Sequence, residues 1–307
     1  MTDSKFSILI TTKNRVTDLA FTLGKIKYLL DRKDVVCIIC DDGSTDETAS
    51  FLQSEYPNIR LIQNSVSKGL IYSRNRLLNL TTTEFAISLD DDAHFASENP
   101  LECIRNYFEE NVNCSLIALR IFWGLEEPIS KISDERSHRV QGFVGCAHVW
   151  RMSAWHTIPN YPEWFVFYGE EEFASYQLFK KNWEVHYLPE VLVNHRVDIK
   201  SRRKNSDYTI RLRQSLRAGW YLFFLFYPIC VIPWKMVYSL WMQFKLKVFK
   251  GDLKALQSIL LAFSDLVWNI PRIIKYSNRL TQIEYQEYQE LDETKIYWRP
   301  EINENKQ

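Results

Sequence analysis

Phe85-Ala86-Ile87-Ser88-Leu89-Asp90-Asp91-Asp92 is the stretch on which the reading of this chain turns. Its apolar run reads as a buried strand. The three carboxylates then stand at that strand's C-terminal edge, where open α/β sheets bind their ligands. In extended backbone Asp90 and Asp92 face one way and Asp91 the other. Two same-facing carboxylates this close repel unless a proton or a cation lies between them. A hard divalent ion that also bridges substrate phosphates would satisfy both. An acidic surface turn is the plain alternative.

Working back from this strand, apolar runs and helical spacings alternate. Phe6–Ile10 and Val35–Cys40 read as buried parallel strands and Ile59–Ile62 as a short third. Thr17–Leu30, Asp46–Tyr56 and Gly69–Leu80 read as helices, the second opened by a Ser44/Glu47 capping box. The alternation implies a doubly wound α/β sheet. Working forward, Asn99–Glu110 and Glu170–Lys181 read as helices. Leu116–Ile121, Gln141–Arg151 and Glu184–Val197 read as strands, the last broken at Pro189. Gly142 and Gly145 leave room for a close neighbour. Cys37 and Cys40 form a CxxC, but a separation of three puts them on opposite faces of a strand, as core thiols.

Four pieces converge on the C-terminal ends of these strands: Thr11, Asp42, Arg74 on the third helix, and Asp90/Asp92. Asp42 suits a base or ribose, and Arg74 offers a fork to phosphate or base oxygens. Neither GxGxxG nor GxxxxGK[ST] is present, which argues against dinucleotide and P-loop enzymes.

At this point the chain resembles the inverting glycosyltransferases of family 2, of GT-A fold. The resemblance rests on Ile8-Leu9-Ile10-Thr11-Thr12-Lys13-Asn14-Arg15, Cys40-Asp41-Asp42-Gly43-Ser44-Thr45-Asp46, Leu89-Asp90-Asp91-Asp92, Gly169-Glu170-Glu171-Glu172-Phe173 and Val193-Asn194-His195, and covers about residues 5 to 197. It implies a GT-A sheet, mainly parallel, flanked by helices. It places Thr11, Asp42, Arg74, Asp90 and Asp91 against a nucleotide sugar, a UDP-, GDP- or dTDP-sugar. It places Asp92 and His195 on a divalent metal, Mn2+ or Mg2+. Asn14 and Arg15 match in type and receive no role. The family's acidic pair falls on Glu170-Glu171, which makes Glu171 the general base and Glu172 the fallback. Family members usually carry Asp at the position of Glu171. Three acids in a helix's first turn would also merely complement its dipole. Arg151 is a candidate for diphosphate or acceptor, and Trp164, Phe165, Phe167 and Tyr168 either stack on a sugar or pack in the core.

The C-terminal third differs in character. Residues 196–280 carry 16 Lys/Arg against 4 Asp/Glu, a balance of +12 inside a chain of 307 residues with zero net charge. Ala218–Trp234 is 17 residues without a charge, followed by lysines interleaved with aromatics. That pattern suits helices lying in a membrane's headgroup region; a buried helical hairpin and a true span are the alternatives. No nucleic-acid partner is expected. The domain reading is 1–200 for the GT-A unit, 201–283 for a basic aromatic, membrane-associating region, and 284–307 for an acidic tail. The N-terminus lacks the pattern of a signal peptide, and six cysteines suggest free thiols. The expected location is therefore cytoplasmic, peripheral on the inner face of the membrane. The acceptor would be a glycan or a lipid-linked saccharide. A sugar nucleotidyltransferase, or a catalytically degenerate GT-A domain serving as a membrane-bound assembly partner, remain alternatives.

Overall fold

The computed structural model describes residues 5–197 and 207–300; the expected boundary at residue 200 lies outside them. A nine-stranded sheet forms the centre, in the order β3-β2-β1-β4-β8-β6-β9-β5 with β7 beside β9. Its strands are β1 (Phe6–Thr12), β2 (Val35–Asp41), β3 (Arg60–Gln63), β4 (Phe85–Asp90), β5 (Ala93–Phe95), β6 (Cys114–Trp123), β7 (His138–Val140), β8 (Ala147–Arg151) and β9 (Glu184–His195). The helices are α1 (Val16–Lys25), α2 (Lys27–Leu30), α3 (Thr48–Glu55), α4 (Leu70–Leu80), α5 (Pro100–Glu110), α6 (Met152–Trp155), α7 (Glu170–Lys180), α8 (Tyr208–Phe226), α9 (Ile232–Leu246), α10 (Leu253–Trp268), α11 (Ile270–Tyr276) and α12 (Gln282–Glu290).

β3, β2, β1 and β4 pair in parallel, as the alternation requires. Beyond β4 the sheet turns mixed, because β8 runs antiparallel to both β4 and β6. The period-2 side-chain rule explains the two cores. Cys37, Ile39, Ile8 and Ile10 face a layer that holds Leu19, Leu23, Ile104 and Phe108 from α1 and α5. Leu9, Ile38 and Cys40 face the opposite layer with α4, α7 and α8. The two cysteines are thus core thiols on opposite faces, and all six cysteines are free.

Several local expectations change. The helix after β1 breaks at Ile26. No capping box opens α3: Ser44 Oγ accepts instead from the Asn14 amide at 2.9 Å, and Asp46 Oδ1 accepts from the Thr48 amide. Only Ala147–Arg151 of the expected 141–151 strand is extended, the glycine-bearing half being a loop. β9 continues past Pro189, with Leu119 opposite Leu188 and the next residue, Arg120, opposite Leu192. The intervening residues are accommodated as a bulge.

The 17-residue uncharged run divides between two elements. Its first half belongs to α8, whose Trp220, Tyr221, Leu225 and Phe226 are buried in the sheet's second layer. Pro228 falls in the turn that follows, and α9 starts a new direction. Residues 281–300 dock back onto the fold. A Thr281/Glu284 capping box starts α12, Tyr288 is buried, and Trp298 covers the guanidinium of Arg120 at 4.4 Å.

Candidate active site

Strand register assembles the site. Thr11 pairs with Asp90 across β1 and β4, and Asp42 follows directly on β2. β5 pairs antiparallel with β9 so that Ala93 lies opposite His195, and the Arg196 amide donates to the Asp92 carbonyl at 2.9 Å. This pairing carries His195 Nε2 to 3.0 Å from Asp92 Oδ1. Around these residues opens a cavity of about 700 Å³, within the usual range for small-molecule sites. Thr11, Asp42, Arg74, Asp90, Asp91, Asp92, Glu171 and His195 all line it; Glu172, exposed one position further along α7, does not.

Asp42 spends its carboxylate on the protein. It accepts from Asn64 Nδ2 at 2.7 Å, Ser67 Oγ at 2.6 Å, and the Lys68 and Gly69 amides at 2.8 and 2.9 Å. Burial pushes this carboxyl up, but those donors outweigh it and leave its pKa below the ordinary value. The effect is to clamp the loop before α4, where Gly69 has φ of 96°. Arg74 is similarly engaged. Its guanidinium donates to Asp90 Oδ1 at 2.8 Å, Glu170 Oε1 at 2.9 Å and the Gly145 carbonyl at 2.8 Å, and lies 3.9 Å from Glu171 Oε1. Arg74 therefore ties Asp90 to the acidic turn of α7, rather than standing free for phosphate.

Gly145 explains how that packing is possible: a Cβ there would lie 2.2 Å from Glu171 Oε1 and 2.8 Å from Arg74 Nη1. Glu170 is buried, with Oε2 unpartnered. Burial and the adjacent Glu170 and Glu172 push Glu171 well above the usual carboxylate range, against the pull of Arg74.

The aspartate triplet departs from strict alternation, because β4 ends at Asp90 and the turn after it brings Asp91 and Asp92 both to Arg15. Asp91 is buried against Thr12 Oγ1 at 2.8 Å, and burial lifts it to about 7 despite the nearby Arg15. Arg15 bridges Asp91 Oδ1 at 3.1 Å and Asp92 Oδ2 at 2.7 Å. Burial would raise Asp92, but His195 and Arg15 hold it far below the usual range. Burial likewise opposes the His195 imidazolium, and Cys146 and Asp92 outweigh it, lifting the imidazole to about 10.

One donor atom from each of Asp90, Asp92 and His195 lies within 4.8 Å of the others. Asp92 Oδ1 meets only His195 Nε2, and His195 Nδ1 is buried with no hydrogen-bond partner. Two carboxylates and an imidazole at this spacing fit a divalent cation such as Mn2+ or Mg2+.

Of the four aromatics before α7, Phe165 is buried in the core and Trp164 packs on Tyr221. Phe167 and Tyr168 are exposed and line the cavity. Val166 and Tyr168 have φ of 70° and 66°, strained values of the kind that concentrate at ligand-binding loops. Arg151 corrects an expectation. Because β8 runs antiparallel to β4, Arg151 pairs with Phe85 at the far end of the sheet. There it donates to the carbonyls of Phe108, Asn111 and Cys114.

Two contributions escaped the sequence reading. Arg15 received no role although it spans two of the three aspartates. Asp207, Ile210, Arg211 and Gln214, one face of α8 and the residue before it, close the cavity from the C-terminal region. Their i, i+3, i+4, i+7 spacing was the available signal.

The family described as Glycosyl transferase family 2 matches residues 7–147. Among solved structures, GalNAc-T7 with UDP, GalNAc and Mn2+ is 15% identical with a TM-score of 0.57, over 73% of this chain and 48% of that one. The mannosyltransferase PcManGT from Pyrobaculum calidifontis, in complex with GDP-Man and Mn2+, is 14% identical with a TM-score of 0.53, over 70% and 62%. S. aureus TarS 1-349 in complex with UDP-GlcNAc is 16% identical with a TM-score of 0.52, over 71% and 66%. The chain thus spans less than two thirds of each of these structures. At such identities the likeness is one of fold, and no curated protein sequence matches the chain. Residues 7–147, from β1 to the first residue of β8, are a domain of an enzyme family, glycosyl transferase family 2, on the GT-A fold.

Proposed function

We propose that this chain is a glycosyltransferase that moves a sugar, with inversion, from a nucleotide-diphospho-sugar to a hydroxyl of a glycan or lipid-linked saccharide. The observation that carries the reading is a single cavity holding both a two-carboxylate, one-imidazole cluster and the Glu171 carboxylate. The nucleotide sugars and Mn2+ named with the similar structures support a UDP-, GDP- or dTDP-linked donor and a divalent ion. The family match favours transfer of a sugar over transfer of a nucleotide.

A divalent cation on Asp90, Asp92 and His195 would neutralise the departing diphosphate as a Lewis acid. The protein's own groups account for the rest. Thr11 and the Asp42-clamped loop shape the wall for base and ribose. Glu171 takes the acceptor hydroxyl's proton as that oxygen bonds to the anomeric carbon. The bond from that carbon to the diphosphate breaks in the same displacement, its electron pair leaves with the phosphate, and the configuration inverts. Burial keeps Glu171 a stronger base than an ordinary carboxylate. Arg74 fixes Glu170 and Asp90 in one frame, so the base and the acidic cluster keep their relative position.

Turnover of UDP-, GDP- and dTDP-sugars, screened with and without Mn2+, tests the proposal. Asp92→Ala is expected to lose Mn2+ binding and turnover with an unchanged circular dichroism spectrum. Glu171→Gln is expected to keep the donor's thermal shift and lose transfer. Undiminished transfer in both variants would sink the reading.

A further inference from the structure

Three helices leave an unusual surface. α9, α10 and α11 pack on α8, and each turns large apolar side chains into solvent. On α9 these are Trp234, Val237, Tyr238 and Trp241, a one-face stripe in which Trp234 is 75% exposed. On α10 they are Leu253, Leu260, Phe263 and Val267, on a different flank from the buried Ala255, Ile259, Ala262 and Leu266. Ile270 and Ile274 are exposed on α11, and Trp268, at the junction of α10 and α11, is 84% exposed. A monomer in water rarely leaves so much apolar surface uncovered.

Charge identifies the occupant. Residues 229–276 contain Lys235, Lys245, Lys247, Lys250, Lys254, Arg272 and Lys275 against only Asp252 and Asp265. Both carboxylates are already engaged by other groups. Asp252 caps α10 and accepts from Tyr208, and Asp265 receives the Arg213 guanidinium of α8 at 2.6 and 2.7 Å. The cations around the apolar stripes therefore have no acidic counterpart on these helices. Aromatics, aliphatics and uncompensated lysines together match the boundary between anionic headgroups and acyl chains. Among the described residues no single helix is long and apolar enough to cross a membrane. α10 and α11 pass only as a pair bent by 58°, and α10 has committed one flank to α8.

We propose that α9–α11 form a monotopic docking surface for an anionic lipid bilayer. The surface is independent of the transfer chemistry, but α8 joins the two. Its first turns wall the cavity while its length carries α9–α11, so a lipid-anchored acceptor would be presented beside the site.

Co-sedimentation of the full chain with phosphatidylglycerol-containing vesicles, against pure phosphatidylcholine, tests this. Wild type is expected to pellet with the anionic vesicles only, and less so at high salt. Trp234→Ser/Trp241→Ser/Trp268→Ser and Lys245→Glu/Lys250→Glu/Lys254→Glu should each weaken binding by at least ~10-fold. Nucleotide-sugar hydrolysis without vesicles should persist in both variants. Because that hydrolysis reports the proposed activity separately, failure of one reading leaves the other standing. Wild type remaining in the supernatant with both lipids, or equal binding by the variants, would overturn the proposal. So would a dimer in light scattering that the tryptophan variant dissociates, since a second copy would then cover the face.

Discussion

Replacing Gly145 with alanine would set a Cβ 2.2 Å from Glu171 Oε1 and 2.8 Å from Arg74 Nη1. Its backbone is outside the left-handed region, so the effect is one of space alone. Carbon stands roughly 3.5 Å from oxygen or nitrogen at rest, so Glu171 Oε1 must retreat by about 1 Å or more and Arg74 Nη1 by about half as much. Arg74 is buried and held by Asp90, Glu170 and the Gly145 carbonyl itself. The Glu171 side chain is 22% exposed and free to swing. The displacement therefore falls mainly on the base. A misplacement of that size costs on the order of 10²-fold in rate, while overpacking costs about 1–3 kcal/mol of stability. Gly142→Ala is the control. Its Cβ would meet Thr294 Oγ1 at 2.9 Å and Ser175 Oγ at 3.1 Å, away from the cavity lining. Initial-rate transfer at saturating donor, paired with melting temperatures, should show both variants destabilised and only Gly145→Ala slow, with its donor-induced thermal shift intact. Wild-type turnover in Gly145→Ala, or an equal loss in Gly142→Ala, would refute the reasoning.

The remaining expectations concern charge. A general base acts as the carboxylate, and Glu171 is held above the usual range by burial and by Glu170 and Glu172. The acid limb of kcat/KM should therefore lie at higher pH than for an ordinary glutamate, with the rate rising as pH rises. The same sign makes Glu171 ionisation unfavourable for the fold, so its contribution to stability declines over that window. A pH–rate profile settles this, and a limb at the pKa of a solvated glutamate would contradict it. Arg74→Met alone strands the buried Glu170 carboxylate and should cost about 3–5 kcal/mol in urea denaturation. Arg74→Met/Glu170→Met should recover much of that loss, because the unpaired buried charge is gone; a double variant as unstable as the single one would deny the pairing.

Much of the architecture could be read from local pattern. β1, β2 and β4, α4 and α7 fall within a residue or two of their expected spans, because buried strands and amphipathic helices impose their own periodicities. The separation of Cys37 from Cys40 by the sheet follows from the same alternation. Distant pairings were not legible in this way. β8 running antiparallel to β4 removed Arg151 from the site. The β6–β9 bulge kept Pro189 inside a continuous strand. Gly142 and Gly145 pointed to close packing, but not to which neighbour each one admits.

The sequence by itself determined the chemistry present at each strand end, since carboxylates behind a buried apolar run have nowhere else to emerge. It also supplied the excess of positive charge and aromatics in the C-terminal third. Only the tertiary structure decided which of these groups meet. Antiparallel pairing of β5 with β9 delivered His195 to Asp92, and the packing of α8 against α7 closed the cavity with residues from beyond the family domain. The reason is physical: side-chain periodicity is encoded within a few residues, whereas strand register and helix docking are settled by the burial of surfaces far apart in the chain.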